Sequence, residues 1–289
     1  MVATAFRALS LLPSVAIILT AVAANEAASY VLPAATFSTT AQREFDYFSL
    51  ALQWPGTCCR RTHRCCSSNG CCGLNPLTDF TIHGLWPDYY DGSYPSCCRD
   101  SDFDEKKISS LLPDLRKYWP SLSCGSSSLC HGGKGLFWAH EWEKHGTCSY
   151  PSLKDEYSYF AKALDLYLKY NITRILNNDG IFVGTDEKYS VGTIISAIKK
   201  ALGTMPFLEC SHGSLQELRL CFDKDFKPRD CIVQTSIQVN DRVDYKITSR
   251  KSCPRSISLP TYSPLGNGDA SLVISSLVRD GPFLPLSLD

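Results

Sequence analysis

Fifteen cysteines in a chain of 289 residues restrict what this sequence can become more than any other feature. They include the adjacent pairs Cys58-Cys59, Cys65-Cys66 and Cys71-Cys72. In a reducing cytosol such a count points to metal binding, and in an oxidising lumen to disulfides. Two neighbouring cysteines cannot easily both reach one tetrahedral ion, which disfavours a zinc framework. A cross-linked, loop-rich fold is expected instead. The odd count leaves at least one thiol outside any intramolecular bridge.

The N-terminus carries a matching address. Arg7 precedes an apolar stretch running to Leu19, followed by small residues at 21–24 and 27–28, the pattern of a secretory signal. Pro13 interrupts the run, which is shorter than the ~20 residues that span a bilayer. No later segment is expected to cross a membrane. The expected organisation is a signal peptide over 1–28, one domain over 29–264 and a tail over 265–289. The tail lacks cysteine and is rich in proline, serine and leucine; it is either a vacuolar sorting element or an ordinary chain end. Entry to the secretory pathway is expected, with the vacuole favoured and the extracellular space as the alternative. The chain has no terminal Lys-Asp-Glu-Leu-type retrieval signal.

A hydrophobic content of 44% over this length suits one sizeable core. Net charge is +0. That argues against a protein that clamps nucleic acid over a long basic surface; any such contact is local and transient.

Phe45 to Trp54 alternates as a strand with one buried face: Phe48, Leu50 and Leu52 on one side, Tyr47, Ser49, Ala51 and Gln53 on the other. A second strand is expected over Thr78 to Gly84, closed by Trp86-Pro87. Asp104 to Trp119 has helical spacing broken near Pro113. The stretch from Ser121 to Gly135 reads as a loop, and Phe137 to Thr147 as a short helix. The clearest helix runs from Lys154 to Tyr170, with a stripe of Tyr157, Phe160, Ala161, Leu164, Tyr167 and Leu168 and a capping box of Ser152 with Asp155. Another runs from Val191 to Leu202, with Ile194, Ile195, Ile198 and Ala201 inward and Gly203 as its stop. Strands are expected at Leu218–Phe222 and Ile232–Val239. Together these predict an α+β fold, a central antiparallel sheet flanked by helices in one disulfide-stapled domain.

Six histidines are present, and three stand in dense aromatic surroundings. His83 lies in Phe80-Thr81-Ile82-His83-Gly84-Leu85-Trp86-Pro87. His140 and His145 lie in Phe137-Trp138-Ala139-His140-Glu141-Trp142-Glu143-Lys144-His145. At ~100° per helical residue, Glu141 shares a face with His145, and His140 shares a neighbouring face with Lys144. Imidazoles titrate near ~6.5, so two of them can hold opposite protonation states, as paired general acid and base catalysis requires. Lys144 can neutralise charge on a phosphoryl oxygen, and Glu141 can orient His145. The rival is a metal hydrolase, since His140-Glu141 opens like a zinc-protease helix. Here, however, the histidines are five apart, ~140° around a helix, too divergent to grip one ion easily. His63, His131 and His212 carry no such surroundings and are taken as ordinary residues.

These two histidine segments resemble those of the ribonuclease T2 family of secreted acid ribonucleases, with plant S-like vacuolar members nearest in pattern. Leu52-Gln53-Trp54-Pro55-Gly56 and Asp91-Gly92-Ser93-Tyr94-Pro95 extend the resemblance, which covers roughly residues 45–255. It implies metal-independent cleavage of single-stranded RNA to 2′,3′-cyclic phosphates and then 3′-phosphates, in general RNA turnover and phosphate recycling. His145 is then the base, His83 the acid, Glu141 and Lys144 stabilise the pentavalent phosphorus, and His140 holds the phosphate. Gln53, Trp86 and Phe137 contact substrate. The same resemblance implies bridges Cys59–Cys65, Cys66–Cys124, Cys98–Cys148, Cys210–Cys253 and Cys221–Cys231. It leaves Cys58, Cys71, Cys72, Cys97 and Cys130 unassigned, and Cys58 makes the partner of Cys65 ambiguous. Asn171-Ile172-Thr173 is a glycosylation acceptor at the end of the long helix. No cofactor and no obligate protein partner are expected, and a monomer is anticipated. The alternative is a catalytically silent protein of the same fold, serving storage or recognition.

Overall fold

The computed structural model describes residues 43–62, 65–99, 101–124, 126–127, 130, 134–135, 137–232 and 253–264. The expected signal peptide and tail, His63 and His131, and nearly all of the strand expected at Ile232–Val239 lie outside them. Contacts divide the chain after Ala41, and every described residue falls in the second unit.

Strand β1 (Tyr47–Gln53) has antiparallel neighbours on both sides, β2 (Thr81–Asp88) and β7 (Ser214–Phe222). Beyond β7 lie β6 (Phe207–Ser211) and β8 (Pro228–Arg229), both antiparallel to it. β9 (Ser256–Leu259) meets β7 in parallel at Ser214 and Ser258 and pairs antiparallel with β5 (Thr185–Ser190). One parallel contact therefore interrupts a sheet expected to be antiparallel throughout. A two-residue hairpin, β3 (Ser126–Ser127) with β4 (Lys134–Gly135), lies in the stretch expected to be loop.

The helices are α1 (Pro55–Cys58), α2 (Leu112–Tyr118), α3 (Phe137–Lys144), α4 (Glu156–Lys169), α5 (Ile172–Asn178) and α6 (Val191–Leu202). Pro113 starts α2 after a 3₁₀ segment over Glu105–Leu111, because proline fits the first helical turn and not the interior. Gly203 ends α6 in the left-handed conformation at φ 79, which glycine adopts without a Cβ penalty. Among the described residues no helix is long and apolar enough to cross a membrane.

Several expectations shift in detail. The alternation of β1 holds, but both of its faces are buried: Phe48, Leu50 and Leu52 enter the core, and Tyr47, Ser49 and Ala51 are also covered. The second face is covered by what packs on the sheet there, Tyr47 against the Cys221–Cys231 bridge and the rest beneath the polar groups of the site. β2 does not stop before Trp86-Pro87. It runs through to Asp88, and Pro87 is tolerated because β2 is an edge strand whose outer side needs no N–H donor. On α4 the cap is Asp155, whose side chain accepts from Ser158 N at 2.8 Å, so the helix starts later than Ser152 would set. Its buried face is wider and rotated toward Tyr159, Ala163 and Leu166, leaving Tyr157 and Leu168 exposed. On α6 the inward residues are Ile194, Ala197 and Ile198, and Ala201 is exposed. The acceptor Asn171 opens a separate helix: its side chain caps α5 by accepting from Arg174 N at 2.8 Å.

Seven disulfides staple the domain. Cys66–Cys124, Cys98–Cys148, Cys210–Cys253 and Cys221–Cys231 are formed. Cys59 pairs with Cys71 rather than Cys65, and Cys65 pairs with Cys72. The correction has a local cause: the 3₁₀ turn at Gly70–Cys72, capped by Asn69, presents two sulfurs to the same loop. Cys97 bridges Cys130. Cys58 joins no bridge; its Sγ lies 3.8 Å from the Gln216 carbonyl oxygen.

Candidate active site

Strands β2, β1 and β7 set out one polar face. Cross-strand partners share a side, so the register puts Ala51 beside Gly84 and Arg219, and Gln53 beside Thr81 and Glu217. His83 has no partner on β1, because the ladder slips between Ala51 and Leu52 and leaves it as an extra residue. Such a bulge bends a strand and re-aims a side chain. The His83 carbonyl is held instead by the indole N–H of Trp119 at 2.8 Å. Its ring then reaches across β1, where Nδ1 lies 2.7 Å from the Glu217 carboxylate.

The second segment forms α3 as expected, and His145 continues it, its N–H bonded to the Glu141 carbonyl at 3.2 Å. Trp142 is buried in the core, while Trp138 is half-buried with its indole N–H on the Trp119 carbonyl at 2.9 Å. Glu141 and His145 are buried; His140 and Lys144 are half-buried. The ring centres of His140 and His145 lie 6.2 Å apart. His140, Glu141 and His145 each offer a ligand atom within 4.8 Å of the others. The divergence expected of a five-residue spacing is therefore largely undone, because the helix ends at Lys144 and gives way to a 3₁₀ turn.

Trp86 joins the two segments. Its ring centre lies 4.9 Å from that of His83 and 5.3 Å from that of His145, and its N–H donates to Glu141 Oε2 at 3.0 Å. Gly84 makes this approach possible. A Cβ there would fall 2.0 Å from the indole nitrogen and 2.3 Å from the Glu141 oxygen. Phe137 stacks toward His83 at 6.2 Å. Gln53 lies at the end of β1, cross-strand from Glu217. All eight residues expected to carry catalysis or substrate contact are thus brought to one region.

Their surroundings pull the two imidazoles apart electrostatically. Burial alone would lower the pKa of His83, but the Glu217 carboxylate on its ring, with Glu141 behind, raises it above 6.5. For His145, burial comes first and the Lys144 and His140 charges add to it, driving its pKa well below 6.5. Burial lifts Glu141 to about 7, against the pull of His83 and the Trp86 hydrogen bond. Burial would also raise Glu217, yet its bonds to His83 and Arg219 outweigh that and hold it at about 2. The arrangement therefore offers one imidazole biased to carry a proton and another biased to accept one.

Two site residues escaped the sequence reading. Glu217 sits 134 positions from His83 on a strand, where a lone carboxylate looks like a solvated residue. Tyr94, 52% exposed, lies 6.0 Å from the His145 ring and under the Lys144 ammonium at 5.6 Å. Its signal was present, an aromatic in the loop that follows the first histidine strand.

Residues 45–231 match the sequence profile described as the Ribonuclease T2 family. Ribonuclease 1 of Arabidopsis thaliana is 41% identical over 201 residues, covering 67% of this chain and 83% of that protein. Intracellular ribonuclease LX of Solanum lycopersicum is 42% identical over 189 residues, covering 63% and 74%. Extracellular ribonuclease LE of the same species is 38% identical over 190 residues, covering 63% and 78%. Among solved structures, the RNase-related protein from Calystegia sepium superposes with a TM-score of 0.66 at 41% identity, covering 77% of this chain and all of that one. RNase NT in complex with 5′-AMP superposes at 0.59 and 36% identity, covering 76% and 100%.

Proposed function

Because the chain belongs to the Ribonuclease T2 family, we propose that it cleaves single-stranded RNA with His145 as general base and His83 as general acid. The observation that carries this reading is the shared indole: one ring touches both imidazoles, and their environments bias their protons in opposite directions. His145 takes the proton of the ribose 2′-hydroxyl, and that oxygen attacks the neighbouring phosphorus. The bond from phosphorus to the 5′-oxygen breaks as His83 protonates the leaving oxygen. A 2′,3′-cyclic phosphate and a 5′-hydroxyl result. In the slower second step a water attacks, the two histidines exchange roles, and a 3′-phosphate is left.

Lys144 and His140 supply positive charge for the phosphoryl oxygens, and Glu141, largely protonated below its pKa of about 7, donates a hydrogen bond to one of them. Phe137 has His83 on one side and also lines a cavity of about 590 Å³ with Trp138, Asn69 and Ser121, roomy enough for a base. Trp86 and Gln53 line the approach to the scissile phosphate, and the exposed ring of Tyr94 offers a stacking surface. A chain of this reading enters the secretory pathway by its N-terminal signal. LX is named intracellular and LE extracellular, and the leucine-rich tail favours the vacuole here. Glycosylation at Asn171 and a monomeric state complete the reading.

The test is digestion of an RNA and of the same sequence in DNA at about pH 5 with EDTA present. RNA should be cut and DNA left whole, since DNA lacks the attacking hydroxyl. His83→Ala and His145→Ala should each lower turnover by roughly 100- to 10,000-fold in a folded protein. Activity lost on chelation would instead assign the His140, Glu141 and His145 cluster to a metal. Cleavage of DNA would refute the mechanism.

A further inference from the structure

The carboxylate on the far side of His83 belongs to neither histidine segment. Glu217 comes from β7, two strands away, and reaches His83 across β1, where its cross-strand partner is Gln53. Its side chain is 6% exposed, and its other oxygen accepts from Arg219 Nε at 2.8 Å. Arg219 also lies over the Trp86 ring at 4.9 Å and pairs with Glu209 at 3.3 Å. The groups facing His83 are therefore Glu217 and Arg219 from β7, Glu141 from α3 and His145 at its end. Glu141 is committed elsewhere, to the indole N–H. Only Glu217, among the described residues, bonds the His83 ring directly.

We propose that Glu217 is the positioning residue of the general acid, holding Nδ1–H of His83 so that Nε2 carries the proton given to the leaving 5′-oxygen. The inference rests on the acid–base reading above. With Nδ1–H donated to a carboxylate, only Nε2–H faces the reaction. After that proton leaves, the ring stays in the tautomer whose Nε2 lone pair can activate water in the second step. Arg219 keeps Glu217 ionised and aimed. The competing explanation is an ion pair that merely ties β7 to β2.

The two are separated by the leaving group. Glu217→Gln keeps the shape and removes the charge. On an ordinary dinucleoside phosphate it should lower kcat by roughly 10- to 100-fold with KM little changed, and move the basic limb of the pH profile downward. On a uridine 3′-(4-nitrophenyl phosphate), whose leaving group needs no proton, the loss should shrink to less than about 3-fold. Glu217→Asp, which restores the charge, should recover part of the rate and the limb. Equal losses on both substrates, or an aspartate variant no better than the glutamine one, would overturn the inference. His83→Ala run in parallel keeps the two levels apart. It should show the same relief on the activated ester; if it does not, the acid assignment of His83 itself fails, whatever Glu217 does. NMR titration of the His83 ring adds a readout independent of turnover. Its midpoint should fall in Glu217→Gln, and an unchanged midpoint counts against the proposal.

Discussion

At His83 and His145 the same side-chain chemistry is sent in two directions by what lies within a few ångströms. The pKa of His83 is held above 6.5 by the Glu217 carboxylate, and that of His145 well below 6.5 by burial and the neighbouring positive charges. The pH profile of kcat should therefore be a bell whose acidic limb lies below 6.5 and whose basic limb lies above it. Initial rates on a dinucleoside phosphate check this, and limbs crowded together at 6.5 would contradict the assigned environments. Glu141 is the third titrating group. Glu141→Gln keeps a neutral donor and should lose less than ~10-fold, whereas Glu141→Ala removes it and should lose roughly 100- to 1,000-fold. Glu217 bears on stability as well. Its folded pKa of about 2 lies below the ordinary 4.5, so its stabilisation is complete above 4.5 and fades as pH falls toward 2. Its partners should thus survive the acid conditions that suit the chemistry. Of these residues, the two histidine segments were legible from sequence, because acid, base, carboxylate and cation are crowded into a few positions. Glu217 was not, since no local pattern announces a contact made across an intervening strand.

The element that matters most is the pair of strands β1 and β2, with the bulge between them. Without the slip at Ala51 and Leu52, His83 would sit in the ladder opposite a partner, and its side chain would have a different aim. The buried methyl side chain of Ala51, cross-strand from Arg219 and Gly84, is the complementary feature. Ala51→Leu should displace Arg219 and, through it, the Glu217 carboxylate it holds. It should cost ~1–3 kcal/mol by overpacking and lower turnover more than that loss of stability explains. Denaturant titration beside kinetics at a temperature where the variant is folded checks it; unaltered turnover would mean that Arg219 does not have to hold Glu217 in place. The long amphipathic helices and β1 could be read from periodicity alone. The polar edge strand Thr185–Ser190 and the four-residue strand Ser256–Leu259 could not, because they are defined by pairing with each other. The burial of both faces of β1 was equally hidden: alternation reports a difference between faces, and here the polar face is closed by the site itself.

Over the whole molecule, the ends remain the testable part of the address. Fusing residues 265–289 to a secreted reporter should divert it from the medium to the vacuole, whereas continued secretion would count against a sorting element in the tail. The bridges extend the argument to the full chain. The neighbours Cys97 and Cys98 tie one loop to two places, Cys130 and Cys148. Cys98–Cys148 fastens the loop that follows the His83 strand to the turn beside His145. Each native bridge removed from a small secreted domain costs ~2–5 kcal/mol, and a reducing compartment removes them all. A ribonuclease stapled in this way should lose its active face on reduction and regain it on reoxidation, which RNA digestion before and after treatment with a thiol checks. On the proposed secretory route, that dependence would shield the cell's own transcripts, since the cytosol would hold the cysteines reduced until the chain had left it.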